Sequence, residues 1–307
     1  MSGEASNVSP LFLVLGAALL WSTGGLFIKW TTLSAVELTW GRSLLAALTV
    51  AFFTRREGFR LNKMTVLTSV LYACLLLLFV IATKLTTAAN AIFLQYTAPI
   101  YVLILEPLLY KEKFRRADLV AVTACIAGMS LFFVGKLRPQ DIQGNLTALA
   151  SGLCFAFYIL LLRHPHSQRV NRASSVIYGN LLLVIITTFV ILSSPVSLAN
   201  LEHISMRDAV SVLYLGIVQI GLAYTLFTLG MARGVRSLDA AIVGYIEPVL
   251  NPLWVFIFLG EQPSTWALMG GAIIIAAVTS HTIWGARRSA KALRALKPED
   301  AVQDNHR

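Results

Sequence analysis

Charged residues are scarce in this sequence. Asp, Glu, Lys and Arg make up 13% of its 307 residues, about half of the roughly 25% that soluble domains carry. At the same time 57% of the residues are hydrophobic. So few charges cannot cover the surface of a soluble protein of this size, and the composition indicates a membrane protein.

Catalytic and metal-binding patterns are also missing. The sequence has no phosphate-binding glycine loop followed by Lys and Ser or Thr, and no Ser/His/Asp or Cys/His set in a recognisable context. Its cysteines, Cys74, Cys125 and Cys154, lie inside apolar blocks, where cysteine acts as a small apolar filler. The five histidines are too dispersed for a zinc site. We therefore expect no enzymatic activity, no cofactor and no metal.

Apolar blocks of about 20 residues fill most of the chain, which is the length that a helix needs to cross a hydrocarbon core roughly 30 Å thick. A helix also satisfies its own backbone hydrogen bonds, as the lipid environment requires. We predict an all-α membrane protein of ten transmembrane helices. The predicted spans are 10–30, 35–54, 64–84, 88–110, 118–135, 144–163, 173–194, 209–231, 237–259 and 264–284.

Basic residues cluster between these blocks and predict an orientation. With both termini in the cytoplasm, nineteen of the 25 Lys and Arg residues fall on the cytoplasmic side and five on the other, as the positive-inside rule requires. The net charge of +10 is then a topology signal, and we predict no nucleic-acid partner. The loops are short and carry no pattern of paired cysteines, which favours a bacterial inner (plasma) membrane.

The two halves of the chain resemble each other. Tyr96 and Pro99 match Tyr245 and Pro248 at one constant offset, at which Glu112 also matches Glu261. We predict an N-terminal tail (1–9), two repeats (10–137 and 144–285) and a charged cytoplasmic tail (286–307). Each repeat has five spans, an odd number, so the second copy is inverted. Inverted halves can open to either side in turn, with the substrate near the midplane.

The motifs of both halves resemble a known family. They are Thr86-Thr87-Ala88-Ala89-Asn90-Ala91, Tyr96-Thr97-Ala98-Pro99 and Glu112 in the first half, and Ser237-Leu238-Asp239-Ala240-Ala241, Tyr245, Pro248 and Gly260-Glu261 in the second. This pattern resembles the EamA repeat of the drug/metabolite transporter superfamily, which includes the YddG-like aromatic amino-acid exporters. The resemblance implies ten helices in two inverted repeats, around a cavity lined mainly by spans one, three, four, six, eight and nine.

Glu247 is the leading candidate for the site. It lies near the middle of the ninth predicted span, where an unpaired carboxylate is costly, and Pro248 after it predicts a helix break. A carboxylate beside a break suits a substrate ammonium group or a coupling proton. The alternative is a structural carboxylate paired with a tyrosine or with Arg42. Asn251, one turn later, would line the cavity or bridge two helices.

Pro99 predicts a matching break in the fourth span. Gln95, Tyr96 and Tyr101 lie near it and would bind a polar substrate or serve as helix contacts. Trp21, Tyr158 and Tyr224 would either wall the cavity, where aromatic faces suit cations and apolar groups, or pack against neighbouring helices. Arg42 and Glu106 are candidates for a gate or a structural ion pair.

These features predict a secondary transporter of a small organic metabolite that works by alternating access. Proton-coupled export of an amino acid or related amine is the favoured hypothesis. The alternatives are an importer of another solute, such as a vitamin, a nucleotide-linked compound or a quaternary amine, and a non-transporting membrane scaffold. The expected partners are the small-molecule substrate and membrane lipid. Small residues at Gly270-Gly271 and Ala276-Ala277 could also support a homodimer.

Overall fold

A computed structural model describes residues 9–86, 88–111, 115–131, 134, 142–195, 204–259 and 264–295. Every regular element in these ranges is helical, and none is a strand. The predicted repeat mates Glu112 and Glu261 lie outside the described residues. So do most of the N-terminal tail and the end of the C-terminal tail.

The described part of the first half forms seven α-helices and one 3-10 helix, Arg55–Glu57. The α-helices are α1 (Pro10–Trp21), α2 (Gly24–Trp30), α3 (Ala35–Thr54), α4 (Lys63–Leu85), α5 (Ala88–Gln95), α6 (Ala98–Tyr110) and α7 (Arg116–Leu131). Local chemistry sets some of the starts. The Ser34 hydroxyl accepts a hydrogen bond from the Glu37 amide while the Glu37 carboxylate accepts one from the Ser34 amide, a capping box that begins α3.

The described part of the second half adds eight α-helices and a π-helical segment. They are α8 (Ile142–Leu162), α9 (Pro165–Gln168), α10 (Ser174–Leu192), α11 (Met206–Leu213), the π-helix Tyr214–Leu222, α12 (Ala223–Ala232), α13 (Ser237–Gly244), α14 (Ile246–Leu259) and α15 (Thr265–Ala295). Helix α15 continues well beyond the predicted end of its span. The tail that the sequence places after residue 285 is therefore helical through Ala295, because Ala, Leu, Lys and Arg are strong helix formers.

Nine helical stretches in the described part of the chain are long and apolar enough to cross a membrane. They are Pro10–Trp30, Ala35–Glu57, Lys63–Leu85, Asn90–Tyr110, Ile142–Leu162, Ser174–Leu192, Met206–Ala232, Ser237–Phe258 and Leu268–Arg288. Each overlaps a predicted span. The fifth predicted span corresponds to α7, which is described over 16 residues, so the tenth crossing stays a prediction. The chain is an integral multi-pass membrane protein.

The helices pack into one bundle. Helix α8 runs along α4, α10 lies against α3 and α4, α7 packs on α15, and α1 packs on α12. Large apolar side chains such as Phe12, Leu108 and Phe189 are more than half exposed, as expected of surfaces that face lipid tails. Some buried polar side chains bond to a neighbouring helix, as the Asn180 amide does to the Tyr72 hydroxyl, and others bond to a carbonyl of their own helix, as Thr83 does.

Small residues allow two helix pairs to come close. A Cβ added at Gly152 of α8 would lie 2.6 Å from the carbonyl oxygen of Gln95. The predicted small-residue face of the last span also makes a close helix contact. A Cβ added at Gly128 of α7 would lie 2.8 Å from the carbonyl oxygen of Gly270. Gly270 thus packs within the chain, and the homodimer stays a prediction.

Candidate functional site

Two transmembrane stretches break at repeat-related positions. Helix α5 ends at Gln95 and α6 begins at Ala98, with Pro99 in its first turn. Helix α13 ends at Gly244 and α14 begins at Ile246, with Pro248 in its first turn. Proline lacks a backbone N–H and is best tolerated in the first turn of a helix, where that N–H would have no intrahelical partner. Each break therefore falls just before its proline.

Tyr96 and Glu247 meet between these two breaks. The Tyr96 hydroxyl donates a hydrogen bond of 2.7 Å to the Glu247 carboxylate. Both side chains are buried, with 1% of Tyr96 and 6% of Glu247 exposed. The tyrosine comes from the fourth span and the carboxylate from the ninth, so one short bond joins the two halves of the chain. Of the two pairings considered for Glu247, the tyrosine is the one found.

Helix α14 extends this site toward a third break. Asn251 follows Glu247 by one turn, is buried, and its side-chain N–H donor has no hydrogen-bond partner among the described residues. One further turn along, the indole N–H of Trp254 donates 2.8 Å to the Ser22 hydroxyl. Ser22 lies between α1 and α2, in the break of the first span. One face of α14 thus runs from the Tyr96 break to the Ser22 break.

The π-helix of the eighth span packs against the break in the first span. The Gln219 side chain lies close to the backbone of Gly24. A Cβ added to Gly24 would be 2.6 Å from the side-chain amide nitrogen of Gln219. The Gln219 amide oxygen is buried without a hydrogen-bond partner in the described ranges. The Tyr214 hydroxyl lies 3.0 Å from that of Thr23. Sequence reasoning missed Gln219, although a glutamine in an apolar span is a usable signal.

Trp21 and Tyr224 lie together in a buried aromatic cluster. The Trp21 ring is 4.7 Å from Tyr224, 5.1 Å from Phe227 and 6.1 Å from Phe155, measured between centroids. The indole N–H of Trp21 is buried and has no acceptor among the residues that the structure describes. Of the two sequence interpretations, packing describes this conformation. The indole N–H gives the cluster a hydrogen-bond donor that no described residue uses.

Tyr158 joins the same cluster through a neighbouring tyrosine. Its ring lies 5.4 Å from that of Tyr72, which in turn lies 4.8 Å from Tyr224. The Tyr158 hydroxyl is 3.4 Å from that of Ser175. Tyr72 was not singled out from the sequence, because a lone tyrosine in an apolar block is common.

Gln95 and Tyr101 lie on either side of the break in the fourth span. The Gln95 amide donates 2.7 Å to the Ser151 hydroxyl, which donates 2.8 Å to the carbonyl of Leu75. Gln95 therefore bridges helices in this conformation. Tyr101 is half-buried, and no side-chain hydrogen bond joins it to another described residue. The structure thus brings Tyr96, but not Tyr101, to the Glu247 carboxylate.

Arg42 is buried on α3 and has no counter-ion among the described residues. Its guanidinium donates a 3.3 Å hydrogen bond to the carbonyl of Leu76, and its Nε has no hydrogen-bond partner in the described part of the chain. It lies close enough to Tyr72 and Tyr224 for electrostatic contact. The ion pair that the sequence left open for Arg42 is not formed with any described carboxylate, because tyrosines rather than acids surround it.

Glu106 forms an ion-pair network at one end of the bundle, which we call the arginine network (Glu106, Arg163, Arg236, Asp118 and His281). Glu106 is fully buried and lies 2.8 Å from both Arg163 and Arg236. Arg236 also lies 2.7 Å from Asp118, which is 2.9 Å from His281. Although burial opposes its charge, Glu106 and Asp118 hold the pKa of Arg236 above its ordinary value.

The arginine network brings together metal-capable side chains that the sequence did not connect. One ligand atom from each of Asp118, Asp239 and His281 lies within 4.8 Å of the others. Arg236 already occupies one oxygen of Asp118, however, so a cation would compete with a guanidinium. The network joins α6, α7, α8 and α15 to the start of α13, and its position at the end of the bundle suits a closure.

A second polar cluster lies at the opposite end of these helices. The Asp208 carboxylate accepts hydrogen bonds from the Thr31 hydroxyl at 2.6 Å, and from the Thr32 amide and hydroxyl at 2.7 and 2.9 Å. The Ser205 hydroxyl donates to it at 2.5 Å. We call these four residues (Thr31, Thr32, Ser205 and Asp208) the threonine cluster. It ties the loop after α2 to the start of α11 and so joins the two halves of the chain.

Comparison with known proteins agrees with this architecture. A model of the "EamA-like transporter family" matches residues 8–134 and again 142–281. An uncharacterized transporter, YwfM, of Bacillus subtilis is 28% identical over 88% of this chain and 94% of its own length. A solved crystal structure superimposes with a TM-score of 0.76 at 20% identity, over 91% of this chain and 99% of that one.

Two relatives carry functional names. The pseudopaline exporter CntI of Pseudomonas aeruginosa is 24% identical over 80% of this chain and 85% of its own length. The aromatic amino acid exporter YddG of Ancylobacter novellus is 24% identical over 67% of this chain and 71% of its own length.

Proposed function

The chain belongs to the EamA-like transporter family, and from this premise we propose that it exports an amino acid or related amine by proton-coupled alternating access. The family and the named relatives support a small-molecule transporter in the membrane. The substrate, the direction and the coupling ion are our proposal. The observation that carries it is the buried carboxylate of Glu247, held by Tyr96 between two broken transmembrane helices.

A buried carboxylate suits a positively charged substrate group. Glu247 accepts one hydrogen bond of 2.7 Å, and its remaining acceptor capacity is available to an ammonium group. Charge-assisted bonds of this kind are the stronger ones. One turn away, the Asn251 side-chain N–H, which bonds to no described residue, provides a donor for a substrate carboxylate or carbonyl. Together they provide complementary contacts for the two charged groups of an amino acid.

The same carboxylate can carry the coupling proton. A buried ionised carboxylate costs several kcal/mol unless it is paired, and it either gains a partner or takes up a proton. Glu247 would therefore be protonated when the substrate is absent and would release the proton when an ammonium group binds. Such exchange at one residue makes export of the amine depend on import of a proton.

Alternating access needs closures at both ends of the site. The arginine network and the threonine cluster lie at opposite ends of the bundle, and each ties several helices together. We propose that the arginine network opens in the cytoplasm-facing state and the threonine cluster in the outward-facing state. Both are formed in the present conformation, and the aromatic cluster between them is buried.

Counterflow in proteoliposomes tests this function. Vesicles loaded with amino acids and polyamines would receive trace labelled solutes outside, with wild type and Glu247→Gln in parallel. We expect the wild type to accumulate one labelled amino acid or amine. Glu247→Gln should lose accumulation driven by a pH gradient. If it keeps counterflow, Glu247 is the coupling group; if the folded variant also loses counterflow, the result is compatible with substrate contact by Glu247 but does not demonstrate it.

A matched control is available at the end of the second span. Glu57 pairs with Arg172 outside the apolar core, so Glu57→Gln removes a carboxylate without touching the site and should transport as the wild type does. Folded wild-type protein that accumulates none of these solutes would contradict an amino-acid or amine substrate. The search would then turn to vitamins, nucleotide-linked compounds and quaternary amines, and to uptake.

A further inference from the structure

A large cleft lies apart from the Glu247 site, between α1, α13 and α15. Its volume is ≈ 1160 Å³, comparable with sites that hold whole organic ligands, which take roughly 300–1,000 Å³. Its walls are mainly apolar. They include Leu11 and Leu15 of α1, Val243 of α13 and Val278 of α15. The cleft persists because α1 packs chiefly on α12, whereas α15 packs chiefly on α7.

The cleft spans part of one leaflet. Its mouth lies at Ser9, Arg115 and Arg233, next to the ends of α1, α7 and α12. It extends from Asp239 of α13 to Ile246 at the start of α14, which is about 10 Å at roughly 1.5 Å per residue. A hydrocarbon core is roughly 30 Å thick, so the cleft reaches about a third of the way across. The positive-inside rule assigns this side to the cytoplasm.

The mouth of the cleft is positively charged. Arg115, Arg233 and Arg236 line it, and Asp239 is its one carboxylate within the described residues. Arg236 is engaged in the arginine network, and Arg115 interacts electrostatically with Asp239. Arg233 is exposed and forms no ion pair with another residue of the described ranges. Its guanidinium is therefore available to an anion at the mouth.

We propose that this cleft binds one anionic phospholipid of the cytoplasmic leaflet. Arg233 and Arg115 would hold the headgroup phosphate, since one guanidinium group can donate two parallel hydrogen bonds to phosphate oxygens. An acyl chain would lie along Leu11, Leu15 and Val278. Apolar walls at this depth forfeit dispersion contacts unless hydrocarbon fills the space. Basic pockets between transmembrane helices on the cytoplasmic side are known to bind lipid headgroups.

Native mass spectrometry of the detergent-solubilised chain tests the proposal. The protein would be titrated with phosphatidylglycerol, with phosphatidylcholine of the same acyl chains, and with glycerol 3-phosphate, which has a headgroup phosphate but no acyl chain. We expect one tightly retained phosphatidylglycerol and weaker retention of phosphatidylcholine. Equal retention of both lipids would overturn the proposal. Displacement of the lipid by equimolar glycerol 3-phosphate would also overturn it, because the site would then select phosphate alone.

Two variants test the contact with the lipid headgroup and the contact with the acyl chain separately. Arg233→Gln should weaken phosphatidylglycerol retention about fivefold, because one basic residue near a membrane surface contributes about 1 kcal/mol. Thr282→Trp would fill the cleft from α15 and should abolish retention with the arginines intact. The control is Arg56→Gln, an exposed arginine on a different loop. Wild-type retention by both Arg233→Gln and Thr282→Trp would refute the site. Since folded protein is selected by its charge state, loss of folding cannot imitate loss of binding.

Discussion

Tyr96 and Tyr245 occupy matching positions in the two halves of the chain, yet their hydroxyl groups have different surroundings. Their rings lie 5.6 Å apart and both are buried. Only Tyr96 donates to a carboxylate; the Tyr245 hydroxyl has no hydrogen-bond partner among the described residues. The asymmetry follows from one position, because Glu247 in the second half corresponds to Ala98 in the first. The two halves are therefore chemically different at the centre.

This pair provides a matched test of the Tyr96–Glu247 bond. Tyr96→Phe leaves a buried carboxylate oxygen without its donor, a loss that costs about 1–3 kcal/mol. We expect it to lower the melting temperature of the purified protein by several degrees. Tyr245→Phe removes a hydroxyl that bonds to no described residue and should change it little. Equal melting temperatures for the two variants would contradict the role given to the bond.

Some of these residues could be found from the sequence alone. Glu247 stands out because an acid in an apolar block is costly, and Tyr96 stands out because it belongs to a motif present in both halves. Asp118, Arg236 and His281 could not be found this way. Charges near the ends of spans are common as anchors, and nothing in the sequence shows that these three come from different helices to one point.

Broken helices are the elements that form the candidate site. The fourth and ninth spans break before their prolines, as the sequence predicts for a residue without a backbone N–H. The break at Ser22 and Thr23 and the π-helix Tyr214–Leu222 were not predicted, because no proline marks either of them. Packing between helices determines such features, and π-helical turns are frequent at functional sites.

Close approach of α8 to the break in the fourth span leads to a second prediction. Gly152→Ala would place a methyl group 2.6 Å from the Gln95 carbonyl, and such overpacking costs roughly 1–3 kcal/mol. Thermal unfolding should show a clear loss of stability. Gly285→Ala on α15 is the control, because nothing lies within 4 Å of its added methyl. It should be neutral or stabilising, since alanine favours helix. A stable Gly152→Ala variant would contradict the close contact.

At the scale of the whole molecule, the two polar closures are predicted to act in opposite directions. Arg236→Gln removes the residue that joins Glu106 to Asp118, so it should favour opening at that end. Asp208→Asn weakens the acceptor that joins Thr31 and Thr32 to α11, so it should favour opening at the other. Each change biases the same equilibrium between states, in opposite senses.

Thiol labelling measures this bias. Asn251→Cys would be introduced after Cys74, Cys125 and Cys154 are replaced by alanine. A membrane-impermeant maleimide would then be applied from either side of oriented vesicles. Arg236→Gln should raise labelling severalfold from the cytoplasmic side and Asp208→Asn from the opposite side, with Arg60→Gln as the exposed control. Faster labelling from the same side in both variants would show that the clusters are not opposing closures.

The overall arrangement was partly predictable. Apolar block length placed nine described spans within a few residues of their observed positions, because the thickness of the membrane constrains helix length. The tenth crossing, the inversion of the repeats and the orientation remain predictions of residue pattern and charge. Which residues meet in the two polar clusters depends on how helices that are distant in sequence pack, and no single motif contains that information.

The Tyr96–Glu247 bond has a consequence for the synthesis of the protein. Its two partners are 151 residues apart in the chain, and a ribosome adds roughly 5–20 residues per second. The first half therefore enters the bilayer many seconds before Glu247 is made, with Tyr96 lacking its acceptor. The centre of this molecule is completed only when the ninth helix is inserted, so a nascent chain arrested earlier would expose unsatisfied polar groups for quality-control proteases to recognise.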